Sequence, residues 1–156
     1  MPGIDECLLE AMRLPGARGA ALVDWTSGLA LGAVGECPGG DHEAAAAEAA
    51  EVARLTTEQR AFTPEGHAAH GGGTESGTGA GAGTGAGAGT GTGAGIADPP
   101  VEDLIISNRD SYHVLRFVPT SFDSSVFLHV WLGRPDGNLA LARIRLGEMA
   151  GRLVLG

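Results

Sequence analysis

The sequence contains no lysine, and all ten of its cationic side chains are arginines. That absence excludes any mechanism that depends on lysine, including the Walker A phosphate loop and Schiff-base catalysis. Cysteine is scarce as well. Cys7 and Cys37 are too few and too far apart for a disulfide framework or a zinc site, so they read as reduced thiols of a cytoplasmic protein. Aromatic residues are limited to two tryptophans, one tyrosine and four phenylalanines, which leaves Leu, Val and Ile to build the core. The N-terminus, MPGIDECLLEAMRL, has early acidic residues and no apolar run of signal-peptide length. No other run approaches the ~20 apolar residues of a membrane span, so no direct membrane insertion is expected. Clustered cations are also missing. With a formal charge of −9 the chain has little to offer a phosphate backbone, and nucleic acid is not an expected partner.

Glycine is abundant, at 27 residues. From Gly77 to Gly95 it occupies every odd position with only Ala and Thr between, after a Gly71-Gly72-Gly73 run. Nothing in such a tract offsets the backbone entropy of ordering it, so residues 64–100 read as a flexible low-complexity insertion within one domain spanning 1–156. The tract is no dinucleotide loop, because the third glycine of G-x-G-x-x-G would fall on an even number. What remains outside it matches the size of an ordinary domain. A core so economical in bulk gains stability by pairing with a second copy, and a homodimer is the default expectation.

The elements read in a clear order. Ile4, Cys7, Leu8, Ala11 and Met12 share one helical face that buries Cys7, and Pro15-Gly16 closes the segment. Arg18–Trp25 and Leu29–Val34 form a hairpin about Thr26-Ser27-Gly28, with so little side-chain bulk that a helix can pack closely on it. Asp41 caps a helix running to Phe62, with Glu43 and Glu48 near its positive end and Arg54 and Arg60 near its negative end. Ala45, Ala49, Val52, Ala53 and Thr56 give this helix a small-residue face, suited either to its own core or to close contact between two protomers. Val101–Ser107 and Ser111–Val118 make a second hairpin around Asn108-Arg109-Asp110. In Ser125–Leu132 both alternating sets are apolar, which predicts a strand buried on two faces. Asp136-Gly137 then turns the chain, Asn138 caps a last helix, and Leu139, Ala142, Leu146, Met149 and Leu153 form its apolar face.

This order resembles the roadblock/LC7 family. Leu14 to Asp24 followed by Ser27-Gly28-Leu29 is similar to the family's opening, a Pro-Gly, a small-residue strand, an Asp and a glycine turn. Asp41 to Leu55 looks like its alanine-rich second helix, and Asp136 to Leu146 like its entry into the last helix. The chain departs from the pattern in the length of the Gly/Ala/Thr tract. The resemblance implies an α/β, profilin-like fold of order αββαβββα, a five-stranded antiparallel sheet flanked by helices. It also implies a non-enzymatic scaffold or regulator that dimerises by joining two sheets and binds a small Ras-like GTPase or related signalling complex. By that analogy Ala45, Ala49, Val52 and Ala53 lie at the dimer interface, and Glu48, Glu51 and Arg54 face the partner. The arginine-only, glycine-tolerant composition looks actinobacterial. The alternative is a small-molecule sensor of related architecture with a pocket between sheet and helix.

No residue set points to catalysis, a cofactor or a metal. His67 and His70 sit three apart in GHAAH, but the segment leads into the glycine tract, where nothing would hold them as ligands beside His42 or Glu65. His113 and His129 fall on adjacent expected strands, as hydrogen-bonded or partly exposed imidazoles without a neighbouring nucleophile. Ser27 and Ser124-Ser125 lack a nucleophile elbow, and Asp5-Glu6 and Glu102-Asp103 read as solvated element ends. Arg109 and Arg134 are the exposed arginines best placed to reach a phosphoryl group, and they read as ordinary surface charge.

Overall fold

The computed structural model describes residues 3–64, 99–119 and 125–155, with side chains as far as 153. The first helix, α1 (Ile4–Ala11), leads into the strands β1 (Ala17–Asp24) and β2 (Leu29–Gly35). The second helix, α2 (His42–Glu58), precedes β3 (Asp103–Ser107), β4 (Ser111–Phe117), β5 (Val126–Gly133) and the last helix, α3 (Leu139–Leu155). The strands form one sheet in the order β2-β1-β5-β4-β3, every neighbouring pair antiparallel. This is the expected αββαβββα arrangement. Most of the tract expected as an insertion lies outside the described residues, as do His67, His70 and Ser124.

Local chemistry sets the turns. Asp24 Oδ1 accepts from the Thr26 N–H at 2.9 Å and the Thr26 hydroxyl at 2.7 Å, and Gly28 takes the positive φ of 75° that closes the hairpin. Asn108 Oδ1 accepts from Asp110 N–H, Ser111 N–H and the Ser111 hydroxyl, which makes the β3–β4 turn. Asn138 Oδ1 accepts from Leu141 N–H at 3.0 Å and caps α3.

β5 is the central strand, and its two faces belong to two cores. Leu128, Val130 and Leu132 pack with Cys7, Leu8 and Ala11 of α1 and with Ala142, Leu146 and Met149 of α3. Phe127 packs on the other face with Val23, Leu115, Phe117 and the α2 residues Ala46, Ala50 and Ala53. The close approach of α1 depends on missing bulk. A Cβ on Gly32 would sit 3.0 Å from both Ile4 Cγ2 and Leu8 Cδ1. Burial, then Glu10, pushes the Cys7 thiol up to about 11, so it stays protonated.

Two expectations about α2 need correction. The helix stops at Glu58, and Gln59 is extended at ψ 127°, so Arg60 lies in a separate turn (Arg60–Phe62) and does not complement the helix end. At that end the hydroxyls of Thr56 and Thr57 donate to the carbonyls of Val52 and Arg54, the local competition that makes threonine a poor helix continuer. The face turned to the sheet is Ala46, Ala50 and Ala53, about one residue around from the expected stripe. Alanine at 44 to 47 and again at 49 and 50 makes several faces equally small, so periodicity alone cannot choose among them.

Candidate functional site

α2 carries the candidate residues because Asp41 starts it abruptly. The Asp41 carboxylate accepts from Glu43 N–H at 3.0 Å and Ala44 N–H at 3.3 Å, pinning the first turn. From there α2 crosses β1 and β2 on the face opposite α1 and α3. Glu48 and Glu51 are exposed and Arg54 is half-buried. Arg54 pairs with Glu51 one turn away, a surface contact that holds the guanidinium in place and adds little stability. The three residues expected to face a partner thus share the accessible side of one helix.

The four residues expected at a dimer contact separate. Ala53 is fully buried against its own sheet and leaves no surface for a second copy. Ala45 and Ala49 are half-buried at the flank of the helix, while Val52 is 37 % exposed. Sequence reasoning missed Leu55, 49 % exposed, and Phe62, 63 % exposed, which extend the apolar surface past Val52. Their signal was present, since Val52, Leu55 and Phe62 follow helical spacing, but Leu55 and Phe62 lie off the small-residue face 45, 49, 52, 53 and 56 that drew the reading.

Between the start of α2 and the sheet lies a cavity of about 20 Å³, lined among others by Glu36, Cys37, His42, Ala45, His129 and Trp131. That suffices for one water, which needs roughly 10–15 Å³, and is far below the several hundred Å³ of a metabolite site. His113 and His129 meet beside it, Nδ1 to Nε2, at 2.9 Å. Burial, then the proximity of His113, lowers His129 to about 4, and burial lowers His113 against the pull of Asp110. Both rings are neutral near pH 7. Among the described residues no three His, Cys, Asp or Glu side chains converge to hold a metal ion.

The two candidate arginines differ. Arg134 lies 5.0 Å over the Tyr112 ring and donates to the Asn108 carbonyl at 2.9 Å, tying the entry of α3 to the β3–β4 turn. Arg109 is exposed at the tip of that turn. Arg134 is thus engaged in contacts that hold the fold while remaining exposed.

Sheet order, helix placement and capped turns together define the class: the chain has the roadblock/LC7 fold. It superposes on Myxococcus xanthus MglB with a TM-score of 0.64 and 14 % identity, covering 97 % of this chain and 92 % of that one. A roadblock/LC7 domain from Streptomyces avermitilis matches with a TM-score of 0.61 and 14 % identity, over 97 % and 94 % of the two chains. An MglB in a tetrameric arrangement matches at 0.60 and 14 % identity, over 97 % and 85 %. No family model matches the sequence, and no curated protein does. At such identity the shared property is the fold, carried by the pattern of burial and turns.

Proposed function

We propose that the protein is a non-enzymatic homodimeric scaffold or regulator of the cytoplasm that binds a small Ras-like GTPase or a related signalling complex. The observation that carries this reading is the match to MglB and roadblock/LC7 structures along nearly the whole chain. The resemblance to a family of GTPase-associated scaffolds supplies the partner class. Among the described residues no helix is long and apolar enough to cross a membrane.

Dimerisation by joining sheets needs a free edge. β2 is interrupted by a bulge opposite Leu22 and Val23. β3 is regular, and its Ile106 is 40 % exposed. The regular edge is the better template for a second copy, because a bulge twists backbone groups out of register. On the strength of the family resemblance, Ala45, Ala49 and Val52 are retained as proposed contact residues of α2, with Glu48, Glu51 and Arg54 left for the partner. The sensor reading finds a cavity in the expected place between helix and sheet, but one of water size.

Light scattering during size-exclusion chromatography should report two chains per particle. Immobilised protein should retain a small GTPase from the host in a manner that depends on its bound nucleotide. A monomer at 100-fold dilution and at high concentration alike, with no nucleotide-dependent capture, would end this reading.

A further inference from the structure

Among the described residues, His113 of β4 and His129 of β5 form a half-buried titratable pair that the proposed scaffold role does not use. With Nδ1 and Nε2 2.9 Å apart, one nitrogen donates and the other accepts, so a single hydrogen lies between the rings. Trp131 stacks on His113 with planes 9° apart, and Arg18 of β1 lies 5.1 Å over the same indole from the other side of β5. Charged and titratable neighbours come from the turns and from the strand and helix on the other sides of the pair. Asp110 acts on His113 from the β3–β4 turn, and Arg18 is screened behind Trp131. Glu36, Cys37 and His42, from the end of β2 to the start of α2, share the cavity with His129. β3 places only the uncharged Ile106 opposite His113.

We propose that this pair is a two-step acid latch beneath the first turns of α2. The first proton from solvent enters at His113 Nε2, on the ring that Asp110 favours. Nδ1–H of the resulting imidazolium still donates to His129, now as a charge-assisted bond, so the latch tightens. The second proton must take the accepting nitrogen, His129 Nε2. That removes the acceptor and sets two cations nitrogen to nitrogen in a partly desolvated site. The rings separate, and the cavity floor beneath Ala45 and Ala46 moves with His129. The latch lies within one chain and depends on no partner.

An acid titration of the full chain, followed by nitrogen NMR of the imidazoles, tests it. His113 should titrate first, with the shared hydrogen still visible. His129 should follow at a proton concentration at least ten-fold higher, and the Trp131 indole and the Ala45 and Ala46 amides should shift only then. A single joint step, or a second step that leaves those reporters unmoved, overturns the proposal. So does global unfolding before His129 titrates, seen as loss of the far-ultraviolet signal. His113→Gln keeps a hydrogen-bonding group without the charge. It should abolish the first step and move the His129 midpoint to higher pH, and an unchanged midpoint counts against the latch. If that variant does not fold, the titration of the unaltered chain decides alone.

Discussion

A glycine can be required for its shape or merely be tolerated, and Gly19 and Gly151 illustrate the two cases. A Cβ on Gly19 would fall 1.7 Å from the carbonyl oxygen of Glu36, backbone that cannot retreat without breaking the β1–β2 ladder. Gly151, in the exposed part of α3, has nothing within 4 Å of such a Cβ. Gly19→Ala should therefore destabilise the chain by more than about 2 kcal/mol. Gly151→Ala should stabilise it by about 0.5–1 kcal/mol through helix propensity. Urea denaturation of both variants is the check, and equal effects would contradict the geometry. His129 makes a second residue-scale prediction. Its folded value of about 4 lies below the ordinary 6.5, so between those values the unfolded chain binds a proton that the native chain does not. Stability is then complete above 6.5, declines as the pH falls towards 4 and levels off below, with a span on the order of 3 kcal/mol. Urea midpoints measured from pH 7 to pH 4.5 should fall more steeply for the unaltered chain than for His129→Gln. At this scale the sequence showed that two histidines occupy adjacent strands. Their contact depends on register, which places Leu115 opposite His129 and His113 opposite Trp131 and makes the histidines diagonal neighbours.

Among the elements, the helix starts were legible and the stop of α2 was not. Asp41 and Asn138 both cap as their positions suggested, because an N-cap is a local hydrogen bond between a side chain and nearby N–H groups. Asp41→Ala should cost about 1 kcal/mol and reduce helical circular dichroism, with hydrogen exchange rising first at Glu43 and Ala44. Unchanged exchange there would show that the cap is dispensable. The stop at Glu58 follows from the extended Gln59 and the threonine hydroxyls, with no Gly or Pro to mark it. The orientation of α2 was equally hidden. A stripe of leucines announces its face, whereas a run of alanines lets the sheet decide. The sheet selects Ala46, Ala50 and Ala53, since these fit beneath Val23, Phe117 and Phe127.

For the molecule as a whole, the exposed apolar groups are the consequential feature. Val52, Leu55 and Phe62 follow one another along and beyond α2, and Ile106 stands on the free edge β3. If copies join there, Ile106→Asp should weaken self-association by at least ten-fold while the thermal transition of the diluted monomer stays within a few degrees. Analytical ultracentrifugation reads the first quantity and calorimetry the second. A dimer unmoved by the change would place the contact elsewhere. Charge reversal at Glu48 and Glu51 should instead reduce GTPase capture without changing particle size, which separates the partner surface from the dimer surface.

The order of elements, the caps, the two-faced character of β5 and the absence of lysine chemistry were determined by the sequence alone. Each depends on residues within a turn or two of one another, or on composition. Which alanines of α2 are buried, that Arg134 is engaged on Tyr112, and that two histidines from separate strands share a hydrogen were decided only in the tertiary structure. Those outcomes require strands distant in sequence to settle into one register and a helix to choose among equivalent faces. Local propensity carries no information on either choice.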